Sequence, residues 1–138
     1  MTVITTLQSL HTRVLLASLW IACIIAVAFV DLFSLYRSDV RAQIDSGTIF
    51  VFDIGPSFLL GVIIYVLVPT LMIPLSIALP RRTNRIVNIV VAVLFAITVA
   101  GGAVGEWGYY VLASVVEIIL LAAIVVVSAR WSRSAERV

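Results

Sequence analysis

Lysine is absent from this 138-residue chain, cysteine and histidine occur once each, and charged residues make up only 12% of the total. Each scarcity removes a class of chemistry. The lone Cys23 provides neither a disulfide framework nor a CxxC pair, so a thiol relay is not expected. The lone His11 precedes the first apolar run, so no pair of intramembrane imidazoles is available for haem, and no metal-ligand cluster is visible. Glycine-rich phosphate loops and nucleophile elbows are missing as well. No cofactor, no metal and no catalytic residue are expected, and an enzyme is the less favoured reading. A soluble domain of this length carries about twice the charge found here.

What fills the chain is hydrocarbon. Hydrophobic residues make up 63% of it, and its mean hydropathy is +1.23. Four apolar runs, near residues 14–36, 57–78, 86–104 and 109–129, each approach the ~20 residues that a helix needs to cross a bilayer. They predict an all-α, polytopic membrane protein, with four transmembrane helices in an antiparallel bundle forming a single domain over residues 1–138. An outer loop is expected over residues 37–56. Arg13 ahead of the first run, with Ala26 and Ala28 near its end, invites comparison with a signal peptide. That run is longer than an h-region of about 7–15 residues, so it is expected to remain as the first span.

Arginine orients the bundle. Arg13, Arg81, Arg82, Arg85, Arg130, Arg133 and Arg137 fall on one side of a four-span arrangement; Arg37 and Arg41 fall on the other, with Asp39, Asp45, Asp53 and Glu106. The positive-inside rule then predicts cytoplasmic termini and multi-pass insertion in a plasma or bacterial inner membrane. The net charge of +2 is a topology signal with no nucleic-acid partner implied; the partner it suits is the lipid bilayer. Tyr36, Trp107, Tyr109 and Tyr110 mark the expected outer interface and Trp131 the inner one. Trp20, inside the first run, is read as packing.

Polar residues within the runs are the candidates for function. Glu117 lies deep in the fourth span, where a carboxylate costs roughly 2.5–3.5 kcal/mol to insert. Twelve Leu, Ile and Val residues between Tyr109 and Ala129 outweigh it at roughly 0.3–0.6 kcal/mol each. Such a group is expected to face protein or trapped water rather than lipid. Tyr110, Ser114 and Glu117 share a helical face. Ser57, Gly61 and Tyr65 form a row on the second span, and antiparallel packing predicts a Tyr65–Glu117 hydrogen bond. Pro69 and Pro74 should kink that span. Asp31, near the outer end of the first span, is expected to pair with Arg37 or Arg41. Asn84, Arg85 and Asn88 form a polar cluster at the cytoplasmic entrance of the third span, where capping and snorkelling explain Asn84 and Arg85. Ala92, Ala96 and Ala100 form a small-residue row on the same span. In the outer loop, Ser38 is expected to cap a short helix carrying Asp39, Arg41 and Asp45. Ile49 to Phe52 are apolar enough to lie on the membrane, and the segment reads as a lid over the bundle.

Asp31, Leu35 and Tyr36, then Ile73-Pro74, Leu79-Pro80, Asn84-Arg85, Asn88-Ile89, Tyr109-Tyr110 and Glu117 form an ordered set. Over residues 14–131 it resembles an uncharacterised family of small bacterial four-span membrane proteins. The resemblance implies a four-helix integral membrane fold and no particular activity. Further aromatic residues belong at the C-terminal end of that pattern, where this chain has Ser128, Ala129 and Arg130 before Trp131. A more distant likeness is to small four-helix proteins associated with quinone-linked oxidoreductases. The favoured function is a non-catalytic accessory or assembly subunit, or a homo-oligomer, in which Asp31, Tyr65, Asn88 and Glu117 fix helix packing; the partners expected besides lipid are further copies of the chain or a larger membrane complex. The alternatives are a small proton-coupled carrier using Glu117 and Asp31, then a quinone-associated redox subunit.

Overall fold

In a computed structural model, residues 2–131 are described, with side chains from residue 6; Arg133 and Arg137, which enter the orientation argument, lie outside them. Helix α1 runs over Thr2–Ser34, α2 over Ser38–Asp45, α3 over Pro56–Ala78, α4 over Arg81–Gly102 and α5 over Gly108–Trp131. A two-stranded antiparallel ribbon, β1 (Thr48–Ile49) and β2 (Phe52–Asp53), follows α2. Four of the five helices, α1, α3, α4 and α5, are long and apolar enough to cross a membrane.

The breaks between helices have local causes. Nothing in residues 2–13 is glycine or proline, so α1 begins twelve residues before the apolar run does. Helix α3 starts on Pro56, where a missing N–H costs nothing, and ends before Pro80, which caps α4. Arg81 therefore opens α4, five residues ahead of the apolar run, and the Gly101-Gly102 pair closes it. Gly105 turns the chain into α5 at φ +81°, a backbone region that side chains with a Cβ rarely enter. Both Pro69 and Pro74 sit inside α3, which runs through them without interruption.

Around the bundle the order is α1, α3, α4, α5, so α1 faces α4 across the diagonal. Leu16, Trp20, Cys23, Met72, Ala92, Phe95, Leu121 and Ile124 form the core. Ala92 is buried within it, Ala96 half-buried and Ala100 exposed, so the small-residue row allows close approach only along its inner part. The outward surface is apolar: Leu59, Leu60, Ile63, Ile64, Leu67 and Leu71 on α3 alone lie exposed. Buried polar groups under an apolar exterior are the reverse of a water-soluble bundle and suit a hydrocarbon solvent.

Two expectations for the outer segment change. Helix α2 forms where predicted, but Arg37 occupies its N-cap and no side chain caps it, so Ser38 is simply its first residue. The segment also folds on itself. The Phe50 N–H donates to Gln43 Oε1 at 2.9 Å and holds Phe50 at φ 52° in the ribbon turn. Phe52 stacks on Phe58 at the start of α3, 5.9 Å between centroids. These contacts build a compact outer knob beside α3.

Candidate functional site

The inner half of the bundle is organised by Asn88. Trp20 Nε1 donates to Asn88 Oδ1 at 2.7 Å, and the Ser76 hydroxyl donates to the same oxygen at 3.2 Å. Asn88 Nδ2 donates to Asn84 O at 2.9 Å and to Asn84 Oδ1 at 2.6 Å. Asn84 Nδ2 in turn donates to Ser76 O at 2.6 Å. A primary amide offers two acceptor and two donor positions, so Asn88 has every one occupied. All four residues are fully buried. The network ties α1, α3 and α4 together and needs nothing from outside.

This corrects the capping reading of Asn84: it and Asn88 are interior hydrogen-bonding groups, while Arg85 stays half-buried beside them. Two members, Trp20 and Ser76, escape recognition from sequence. An indole N–H in the middle of a span needs a buried acceptor, which is the signal that points from Trp20 to Asn88.

Arginine and tryptophan clasp both ends. At the inner end Arg13 Nη1 donates to the carbonyls of Ile77 and Leu79, the latter at 2.7 Å, satisfying the free C-terminal carbonyls of α3. The Trp131 ring has two guanidinium carbons near its centroid, Arg13 at 5.5 Å and Arg81 at 5.7 Å, and Arg81 also donates to the Trp131 carbonyl. At the outer end Arg37 pairs with both Asp39 and Glu106 and lies 4.5 Å from the Trp107 centroid. The Arg37 and Glu106 side chains are 10% and 11% exposed, so this clasp is largely shielded. Hydrogen bonds to Asp39 first and Glu106 second push the Arg37 guanidinium up; the Arg37 hydrogen bond holds the Asp39 carboxyl below the usual carboxylate range. The predicted pairing of Asp31 with Arg37 or Arg41 is therefore not formed. Arg37 is drawn to the loop that starts α5, where Glu106 and Trp107 meet it together.

Between these clasps, in the outer half, lies a cleft among α1, α3 and α4. Its lining includes Cys23, Val27, Asp31, Tyr65, Pro69 and Phe95. Tyr65 stacks on Phe95 at 4.5 Å between centroids. The expected Tyr65–Glu117 bond gives way to a 2.9 Å contact between the Tyr65 hydroxyl and Thr98 Oγ1. Thr98 spends its single proton on the Phe95 carbonyl at 2.8 Å, so Tyr65 is the donor. The ring stack with α4 brings Tyr65 to Thr98 instead of to α5. Ser57, Gly61 and Tyr65 lie along the exposed side of α3.

Glu117 is 3% exposed, and its Oε1 has no hydrogen-bond partner. On the same face Ser114 is buried and Tyr110 half-buried, as the spacing predicts. Glu117 lies within electrostatic reach of Cys23, Asp31, Tyr65 and Tyr110, three of which line the cleft. Among the described residues no group of three or more His, Cys, Asp or Glu side chains is placed to hold a metal ion.

Four long apolar spans, packed around an apolar core that holds a few buried polar groups, define a small polytopic integral membrane protein. The chain belongs to the family described as Family of unknown function (DUF6326), whose model matches residues 7–137. No curated protein and no solved structure matches it.

Proposed function

We propose that this protein is a small proton-coupled carrier in which Glu117 binds and releases a proton on the outer side of the bundle. The supporting observation is the orphaned Oε1 of Glu117. A carboxyl that served only to join helices would be expected to make hydrogen bonds, since a buried unmatched polar atom costs about 1–3 kcal/mol. Asn88 in the same bundle is fully matched. Glu117 instead lies within electrostatic reach of Asp31 and Cys23 on α1, Tyr65 on α3 and Tyr110 on its own helix. The titratable side chains of α4 are the arginines of its inner end. Asp31, near the outer end of α1, supplies the step between Glu117 and the outer water. The arginine distribution supports cytoplasmic termini in a bacterial inner membrane, and four spans suit a carrier that works as a homodimer.

The direct test is difference infrared spectroscopy of the purified protein in lipid nanodiscs. A carboxylic C=O band that titrates with pH and disappears in Glu117→Gln is the expected result. A spectrum without such a band, or one unchanged by Glu117→Gln, removes the reading.

A second reading, a non-catalytic accessory or oligomeric subunit, draws support from the inner half, where Trp20, Ser76, Asn84 and Asn88 are consumed in bonds to one another. Purification from native membranes in mild detergent separates the two, since an accessory subunit emerges with a stoichiometric partner.

A further inference from the structure

We infer that the inner end of the bundle binds an acidic phospholipid, its phosphate held by Arg82 and Arg85 at the start of α4 and an acyl chain laid along the exposed face of that helix. The site is independent of the proton chemistry of Glu117.

Charge carries the first part of the argument. Arg13, Arg81, Arg82, Arg85 and Arg130 gather at the inner end, and among the described residues no Asp or Glu side chain lies there to balance them. Two of the five are committed within the chain. Arg13 holds the last carbonyls of α3, and Arg81 reaches across to the carbonyl and ring of Trp131 on α5. Arg82, Arg85 and Arg130 make no hydrogen bond or ion pair with any described residue. The outer end is built the other way, with Arg37 matched by Asp39 and Glu106.

Placement supplies the second part. Arg82 and Arg85 stand three residues apart on α4, so their side chains are neighbours on the helix surface. Arg82 is exposed and Arg85 half-buried. A guanidinium offers paired N–H donors that match phosphate oxygens, and two of them side by side favour a phosphodiester over a carboxylate-free neutral headgroup. They lie where the apolar part of the span begins, at Ile86, which is the depth of lipid headgroups.

The helix surface beyond them decides between a lipid phosphate and a soluble one. Ile86, Val90, Val93 and Ile97 follow Arg82 at steps of three or four residues, and all are exposed. They form an apolar column that starts at the arginine. Such a column suits an acyl chain anchored by its headgroup, whereas a soluble phosphate leaves it unused.

Native mass spectrometry of the protein released from detergent micelles tests this, with dioleoylphosphatidylglycerol as the probe. Dioleoylphosphatidylcholine is the zwitterionic lipid with the same chains, and glycerophosphoglycerol is the acidic headgroup without chains. Saturable binding of the acidic lipid, tighter than that of the zwitterionic one, is expected. It should weaken about fivefold in Arg82→Gln and about fivefold again when Arg85→Gln is added, the effect of one basic residue beside an anionic headgroup. Arg41→Gln, at an exposed arginine of α2, should leave it unchanged. Arg82→Gln alters an exposed side chain without a bond inside the chain, so it provides the test if Arg85→Gln fails to fold. Equal binding of the two lipids, unchanged affinity in Arg82→Gln, or an equal loss in Arg41→Gln overturns the inference. Glycerophosphoglycerol binding as tightly as the intact lipid overturns it too, by assigning the arginines to a soluble phosphate. None of these outcomes touches the infrared test of Glu117.

Discussion

Trp20 on α1 and Asn88 on α4 meet across the diagonal of the bundle through a 2.7 Å hydrogen bond. Neither helix packs closely on the other, so the bond links two helices whose main neighbours are α3 and α5. In lipid there is no hydrophobic drive to bring helices together, and association depends on packing and such polar links.

Replacing Asn88 tests this. Asn88→Leu leaves the Trp20 N–H, the Ser76 hydroxyl and Asn84 Oδ1 without their partner. A loss of about 2–4 kcal/mol is expected, from two or three stranded groups at about 1 kcal/mol or more each. Reversible unfolding in mixed micelles, followed by tryptophan fluorescence, measures it. Trp20→Phe should cost less, since one acceptor position of Asn88 is vacated while Ser76 keeps the other.

The Tyr65–Thr98 contact predicts a small, separable coupling. Tyr65→Phe keeps the ring on Phe95 and removes only the hydroxyl, so destabilisation of about 0.5–1 kcal/mol is expected. A double-mutant cycle with Thr98→Val should recover most of that as interaction energy. A coupling near zero, paired with a measurable coupling to Glu117, would restore the pairing across α3 and α5 that the spacing suggests.

Arg37 gives the outer segment a pH dependence with a definite sign. The Asp39 carboxyl is held below the ordinary value of about 3.9 by its Arg37 hydrogen bond. Its contribution is therefore present above that ordinary value and is lost as pH falls through the lower value it has in the folded state. Hydrogen exchange in α2 should quicken in Asp39→Asn relative to the parent at pH 6, and the difference should vanish on acidification below the folded-state value. Because Asp39 is exposed, salt should diminish the effect as well.

The orientation is open to labelling. Cys23 is buried, so background reaction with a polar maleimide should be low. Val51→Cys, at a site 89% exposed in the outer knob, should react in intact cells. Arg82→Cys, in the first turn of α4, should react only after the cells are opened. The reverse pattern would invert the bundle.

The four spans were legible because hydropathy is a sum over some twenty residues and tolerates error at any one. Their ends were less so. Thr2 to Arg13 are not apolar, yet they extend α1, because a helix without a breaker continues past its buried portion. Partnerships were harder still. Spacing along α3 and α5 puts Tyr65 near the depth of Glu117, but whether the tyrosine turns to α5 or α4 is decided by the Phe95 ring, a contact between distant segments. Arg37 chose Glu106 over Asp31 for the same kind of reason, since the short connection before α5 brings Glu106 and Trp107 to it together. Asn84 and Asn88, at i and i+4, were visible as a pair; that they also accept and donate across α1 and α3 requires the diagonal geometry.

The saturated amide of Asn88 has a mechanical consequence. With no lone pair or N–H to spare, Asn88 can take a new partner only by giving up one it already has, so any rearrangement that separates α1 from α4 has to break the Trp20–Asn88 bond first.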